Sequence, residues 1–153
     1  PNSVIPRIYD KLGFTWGNTI FGINPGNVSW NFDSYQPDYV VINLGTNDST
    51  YTKKNADRLK EYVDAYIAFL KQLRQKNPKA QIICCLGMMG DDLYISIAQA
   101  VSKYSSETGD TKVSALRLKP QQMSDTICAD WHPSEKTHEK ASKQLIDAIS
   151  KIQ

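Results

Sequence analysis

Residues 39–48 read Tyr-Val-Val-Ile-Asn-Leu-Gly-Thr-Asn-Asp, and this stretch decides the fold class. Its first six residues form a short, β-branched and nearly continuous apolar run, which is typical of a strand buried on both faces of a parallel sheet. Gly45 ends the run. Similar runs follow at residues 82–86, stopped at Gly87, and at residues 112–118. The sequence therefore predicts three buried strands.

Helical patterns separate these strands. The strongest one spans residues 55–76 and closes at Asn77-Pro78, because the residue before a proline avoids the helical region. A second pattern ends near Gly109, and a third begins at Ser134 and runs to the C-terminus. Alternating strands and helices predict an α/β fold, with a parallel sheet that carries helices on both faces.

The first 37 residues are less regular. The first dozen residues show helical spacing and stop at Gly13, and residues 14–37 are predicted to form an irregular loop. Its Trp16 and Trp30 are expected to anchor a core. His138, on the last helix, is expected at the surface.

Composition excludes several classes of partner. The chain has 153 residues, 41% hydrophobic and 22% charged, with a net charge of +2, as expected for one ordinary globular domain. No basic patch suggests nucleic acid or an anionic membrane surface as a partner. No apolar run approaches the roughly 20 residues that span a bilayer. The chain opens at Pro1 without Met, which is expected of a processed or truncated end.

The three cysteines do not form a disulfide framework. Cys84 and Cys85 are adjacent in an apolar run and are expected to pack as small buried hydrophobes. A bridge from Cys128 to either of them is left open.

Two polar clusters are the candidates for chemistry. Residues 45–48 follow the first strand, and residues 130–134 precede the last helix, so both are expected at the carboxyl edge of the sheet, where working residues lie. His132 is suited to act as a general base, and the Asn47 amide to stabilise an oxyanion. The alternatives are that Asn47 only caps a turn and that His132 is a loop histidine satisfied by the backbone.

These clusters resemble a known superfamily. Residues 40–48 resemble the third conserved block of the SGNH (GDSL) hydrolases, and His132-Pro133-Ser134 resembles their fifth. The surrounding sequence is most similar to carbohydrate esterase family 2, at residues 5–9, 35–38 and 129–134, and the likeness covers essentially the whole chain. It implies a flavodoxin-like three-layer sandwich, incomplete here, with residues 1–153 forming the C-terminal portion of one SGNH hydrolase domain.

The resemblance also implies a function. Members of this family remove acetyl groups from polysaccharides such as xylan, without a cofactor or metal, in an extracellular or periplasmic setting. It implies that His132 is the base and Asn47 an oxyanion donor. We assign Gly45, Met88 and Trp131 to the substrate side. Trp131 either lines the sugar pocket or packs beneath its loop, and Met88 borders a small acyl pocket.

The sequence departs from the family pattern in two ways. The position three before His132, usually Asp, is Ala129. Asp130 is then expected to orient the imidazole, by its side chain or its backbone carbonyl, or to be a solvated turn residue. Moreover, no Gly-Asp-Ser follows a strand, so the nucleophilic serine is expected on a companion segment or chain beside residues 39–44. Without that segment this strand is an open edge, which favours aggregation.

The sequence is compatible with two other functions. A truncated hydrolase domain that binds glycan or a partner protein without catalysis would explain the missing serine block, but it has no need of both polar clusters. An esterase that acts on a lipid or thioester is the other alternative. The absence of a long apolar stripe at residues 14–37 disfavours it.

Overall fold

The computed structural model describes residues 4–13, 19 and 21–152, and it divides into two compact units, Pro1–Pro37 and Asp38–Gln153. In the first unit, helix α1 is only Ile5–Ile8. It is shorter than predicted, because Lys11 instead forms an antiparallel bridge with Ser29. Short 3₁₀ turns follow at Pro25–Asn27 and Phe32–Ser34. Trp30 is 42% exposed, so the prediction that it anchors a core is wrong; Trp16 lies outside the described residues.

The second unit is built on a parallel sheet of three strands. The strands β1 (Tyr39–Asn43), β2 (Gln81–Met88) and β3 (Val113–Pro120) pair in the order β1-β2-β3, with Ile42 beside Cys84 and Cys84 beside Ala115. β2 lies in the centre, and its residues 82–86 are at most 1% exposed. The predicted burial on both faces is therefore confirmed for β2.

β1 lies at the edge of this sheet and is only partly buried. Ile42 is 6% exposed, but Val41, on the opposite face, is 45% exposed. The prediction that this strand is buried on both faces is wrong for the Val41 face. The reason is the position of β1, which has a neighbouring strand on one side only within the part of the chain that the structure describes.

Four helices complete the second unit. They are α2 (Thr46–Thr52), α3 (Ala56–Lys76), α4 (Tyr94–Thr108) and α5 (Glu135–Ser150). The predicted ends hold to within a residue or two: Asn55 caps α3, Gly109 ends α4 in the left-handed region at φ 73°, and Ser134 caps α5. His138 is exposed, as predicted.

The helices cover both faces of the sheet. On one face Ile83, Cys85 and Leu118 form a core with Ala141 of α5. Side chains at alternate positions, such as Ile82 and Cys84, point to the other face. There Cys84 lies near Tyr66 of α3, and α3 packs against α4. This confirms the predicted three-layer arrangement.

All three cysteines are free, so the bridge that was left open does not form. Cys84 and Cys85 are buried and Cys128 is exposed. Burial raises the pKa of the Cys85 thiol to about 11, so this thiol stays protonated at neutral pH. Within the described residues, no helix is both long and apolar enough to cross a membrane.

Arg74, on α3, binds the segments that precede β2 and β3 at the amino-terminal edge of the sheet. Its guanidinium donates to Asp110 (Nε to Oδ2, 2.7 Å) and to the carbonyls of Asn77 (2.9 Å), Ala80 (2.7 Å) and Lys112 (3.1 Å). The side chains of Arg74 and Asp110 are only 19% and 15% exposed. Burial by itself would raise the pKa of Asp110, but the hydrogen bonds from Arg74, the Lys112 amide and Tyr104 hold it below its usual range.

Replacing Arg74 by Met should therefore cost about 3 kcal/mol of unfolding free energy, because it leaves the Asp110 carboxylate without its cationic partner and several carbonyls without their donor. The matched control is Lys71→Met, which removes an exposed ion pair with Glu107 and should cost about 0.5 kcal/mol or less. Urea denaturation at pH 7 measures both. Equal losses for the two variants would contradict the role given to Arg74.

Candidate active site

The carboxyl end of β1 turns directly into helix α2. Gly45 makes the turn at φ 134°, a conformation that L side chains rarely adopt, and a Cβ there would lie 2.7 Å from the Tyr62 hydroxyl. That hydroxyl donates to the Leu44 carbonyl at 3.3 Å. The sequence placed residues 45–48 in a loop, whereas residues 46–48 form the first turn of α2.

Asn47 is exposed on this first turn. Its position follows from Gly45, which lets the chain leave the sheet and begin a helix at once. Ser49, one turn further on, donates its hydroxyl to the Thr46 carbonyl at 2.7 Å. Ser49 therefore lies inside the helix, and not at the strand-to-helix turn where a nucleophile would be presented.

The end of β2 also depends on a glycine. The strand continues through Gly87 to Met88, so the predicted stop at Gly87 is wrong. A Cβ on Gly87 would clash with the Leu118 carbonyl oxygen, and the missing side chain lets β3 approach this closely. Met88 is half-buried, and its carbonyl accepts from the Gln121 amide at 2.7 Å. Met89, rather than Met88, lines a cavity of about 40 Å³ beside Gly45.

The loop that carries His132 is tied to this edge of the sheet. Gln121, directly after β3, donates its side-chain amide to the Trp131 carbonyl at 2.8 Å. Asp130 and Trp131 both have left-handed backbones, at φ 54° and 61°, which costs of order 1–3 kcal/mol each. Trp131 is 68% exposed, so it does not pack beneath the loop.

The imidazole of His132 is held by the main chain. Its Nδ1 lies 3.1 Å from the Ala129 carbonyl oxygen. Since a carbonyl oxygen can only accept a hydrogen bond, Nδ1 carries the proton, and in the neutral ring Nε2 keeps its lone pair. The expectation that an Asp130 group would hold the ring is corrected: the carbonyl belongs to Ala129. Asp130 is exposed.

Asp125 is a buried charge at the base of the same loop, and it was not predicted as a site residue. Its side chain is 3% exposed, and its carboxylate lies 2.6 Å from Lys140 Nζ and 3.2 Å from Lys136 Nζ. The hydrogen bond from Lys140 is the main cause that holds the pKa of Asp125 below its usual range. The available signal was weak: two lysines four residues apart on α5, which share one face of the helix.

The described residues hold no cluster of three or more His, Cys, Asp or Glu side chains placed to bind a metal ion. The described residues place two polar groups at the carboxyl edge of the sheet. One is the His132 imidazole, with a defined tautomer, and the other is the exposed Asn47 amide on the short helix α2. Trp131, which precedes His132 in the chain, adds an exposed indole to the same loop. The imidazole and the amide are the two groups that acyl transfer needs besides a nucleophile.

The fold and these residues define the class of protein. Residues 12–145 match the family described as GDSL-like lipase/acylhydrolase, and the chain belongs to this family. Among curated relatives it is 38% identical, over 148 residues, to the cellulase/esterase CelE of Acetivibrio thermocellus. The match covers 94% of this chain but only 17% of that protein.

Solved structures give the same class. The chain superposes on Est2A, an acetyl xylan esterase from the rumen bacterium Butyrivibrio proteoclasticus, with a TM-score of 0.85 and 31% identity, over 94% of this chain and 44% of that one. It also matches a family two carbohydrate esterase from Clostridium thermocellum in complex with cellohexaose, with a TM-score of 0.76 and 30% identity, over 97% and 44% of the two chains. The resemblance to carbohydrate esterase family 2 is confirmed.

Replacing Gly45 by Ala tests the turn that places Asn47. We expect a loss of about 3 kcal/mol, of which the positive φ contributes roughly 1–2 kcal/mol and the close approach of Tyr62 the rest. Gly109→Ala is the matched control, because Gly109 has φ 73° but open space around it. Adding Tyr62→Phe to Gly45→Ala should recover part of the loss. Equal unfolding free energies for Gly45→Ala and Gly109→Ala would contradict this account.

Proposed function

We propose that the chain is part of a serine esterase that removes acetyl groups from a polysaccharide such as xylan. The observation that carries the proposal is the contact between His132 Nδ1 and the Ala129 carbonyl. This contact leaves Nε2 as the free basic atom, the state that a general base must have before the reaction. An imidazole of this kind, on a chain of this family, favours acyl transfer over simple binding.

In the proposed reaction a serine hydroxyl gives its proton to His132 Nε2 as its oxygen attacks the acetyl carbonyl. The resulting imidazolium then returns the proton to the sugar oxygen as its bond to the acetyl carbon breaks, which leaves the serine acetylated. A water molecule next attacks this ester and gives a proton to Nε2, and that proton returns to the serine oxygen as acetate leaves. The Ala129 carbonyl keeps its hydrogen bond throughout, and it stabilises the positive ring as an aspartate would, although with a partial charge only. Asp130 therefore has no required part in the proposed mechanism.

Asn47 is the proposed oxyanion donor. Its exposed position on the first turn of α2 allows its amide to reach the carbonyl oxygen as negative charge develops there. The positive end of the α2 dipole lies at the same turn and favours that charge. Gly45 is buried in the turn, so its proposed role is to position Asn47.

The proposed substrate side is formed by the exposed Trp131 and the half-buried Met88, with the buried Gly45 beneath it as the turn that positions Asn47. An exposed indole beside the base offers a flat apolar face on which a sugar ring can stack. One matched relative is an acetyl xylan esterase and another was solved with cellohexaose, which supports an acetylated carbohydrate as the substrate. By the same likeness, we propose an extracellular or periplasmic setting.

The proposed nucleophile lies on a companion segment, which is either another part of the same protein or a second chain. Two observations support it: no strand of the described residues pairs with the outer edge of β1, and Val41 is 45% exposed on the face that α5 covers over β2. A strand paired with β1 would cover its outer edge, and a helix beside α5 would cover Val41. The chain spans less than half of the solved relatives that it matches.

Labelling of the purified natural protein with a fluorophosphonate probe, read on a denaturing gel, tests this proposal. We expect the label on a band or segment other than residues 1–153, because the nucleophile lies there. His132→Ala should abolish the labelling, whereas His138→Ala, which alters the second and exposed histidine, should not. Unchanged labelling of His132→Ala would overturn the assignment of the base.

Asn47→Ala should lower kcat for acetyl release from acetylated xylan on the order of a hundredfold, because it removes one oxyanion donor. KM should change little, since the donor acts on charge that develops only in the transition state. A change confined to KM would instead indicate a role in binding the substrate.

A non-catalytic glycan-binding module is the second candidate, and the exposed Trp131 favours it. Binding of xylan without any labelling of the natural protein would support this candidate. Acetyl release that is lost in His132→Ala would exclude it.

A further inference from the structure

Asp125 is the most deeply buried carboxylate among the described residues, and it belongs to the loop that carries His132. A buried carboxylate is tolerated only when it is paired. Here Lys140 donates to both of its oxygens at 2.6 Å, and Lys136 lies 3.2 Å from one of them. The base of the loop is thereby fixed to one face of α5.

The main chain of Asp125 closes the loop. Its carbonyl accepts from the Ser134 hydroxyl at 2.6 Å, and Ser134 is the cap of α5. Positions 125 and 134 are therefore joined to each other and to the helix. The segment between them contains only eight residues, and His132 is one of them.

Inside this closed loop, backbone hydrogen bonds place the imidazole. The Cys128 amide donates to the His132 carbonyl at 2.9 Å, and the His132 amide donates to the Ala129 carbonyl at 3.1 Å. The same Ala129 carbonyl lies 3.1 Å from the ring Nδ1. A displacement of the loop would therefore move both the base and the group that orients it.

The loop also stores backbone strain. Thr126, Asp130 and Trp131 all have positive φ angles, of 65°, 54° and 61°, and none of them is a glycine. Such residues persist only where the surrounding structure holds them. The ion pairs and the Ser134 hydrogen bond at the base of the loop supply that restraint.

We propose that Asp125, clamped by Lys140 and Lys136, is a positioning residue that holds the His132 imidazole in place for proton transfer. The inference rests on the proposed esterase function. It assigns no contact with substrate to Asp125. Its effect should appear in kcat and not in KM, because the loop position governs the geometry of proton transfer and small displacements lower turnover steeply.

The test compares Asp125→Asn and Lys140→Gln in the esterase-competent natural protein. We expect kcat for acetyl release to fall at least roughly tenfold in each, with KM within about twofold, while Lys140→Arg keeps most of the activity because it retains the charge. The matched controls are Glu139→Gln and Lys143→Gln, which break an exposed pair on the same helix. They should leave kcat unchanged.

Amide hydrogen exchange gives a readout that does not need activity. In Asp125→Asn and Lys140→Gln the amides of Cys128 and His132 should exchange at least about tenfold faster, because the loop opens more often. Unchanged exchange and unchanged kcat in Lys140→Gln would overturn the proposal, even if Asp125→Asn fails to fold. No turnover in the unsubstituted protein would contradict the esterase function, and the exchange rates would still decide whether Asp125 holds His132.

Discussion

The parallel pairing of β2 with a strand on each side is the constraint on which the rest of the structure depends. Because β2 is buried on both faces and hydrogen-bonded along both edges, the carboxyl ends of all three strands lie at one edge of the sheet. The turn at Gly45, the end of β2 at Met88 and the Gln121 anchor of the histidine loop all follow from that arrangement. The candidate site is thus assembled from three loops that the sheet holds together.

The second feature is that the base is oriented by a backbone carbonyl instead of a carboxylate. A carbonyl fixes the tautomer as an aspartate does, but it adds no charge that must be desolvated. The charged group in this loop lies at its base, where Asp125 meets two lysines. The tasks of orienting the ring and of anchoring the loop are therefore divided between Ala129 and Asp125.

The sequence predicted the fold class and the ends of the long helices well, because apolar periodicity and caps such as Asn55, Gly109 and Ser134 are local signals. It missed α2, since a run of short polar residues after a glycine resembles a loop. It also stopped β2 at Gly87, although the close approach of Leu118 there is visible only in three dimensions. The choice of Ala129 over Asp130 could not be predicted, because every residue has a carbonyl and only backbone angles decide which one faces the ring.

The central claim is that the main chain holds the His132 imidazole with its proton on Nδ1. The most direct measurement is ¹⁵N NMR of the natural protein with labelled histidines, with the signals of His132 and His138 assigned by substitution. We expect Nδ1 of His132 to carry the proton and Nε2 to carry none. A proton on Nε2 of His132 would contradict the account, because that nitrogen would then be unable to accept a proton from a serine.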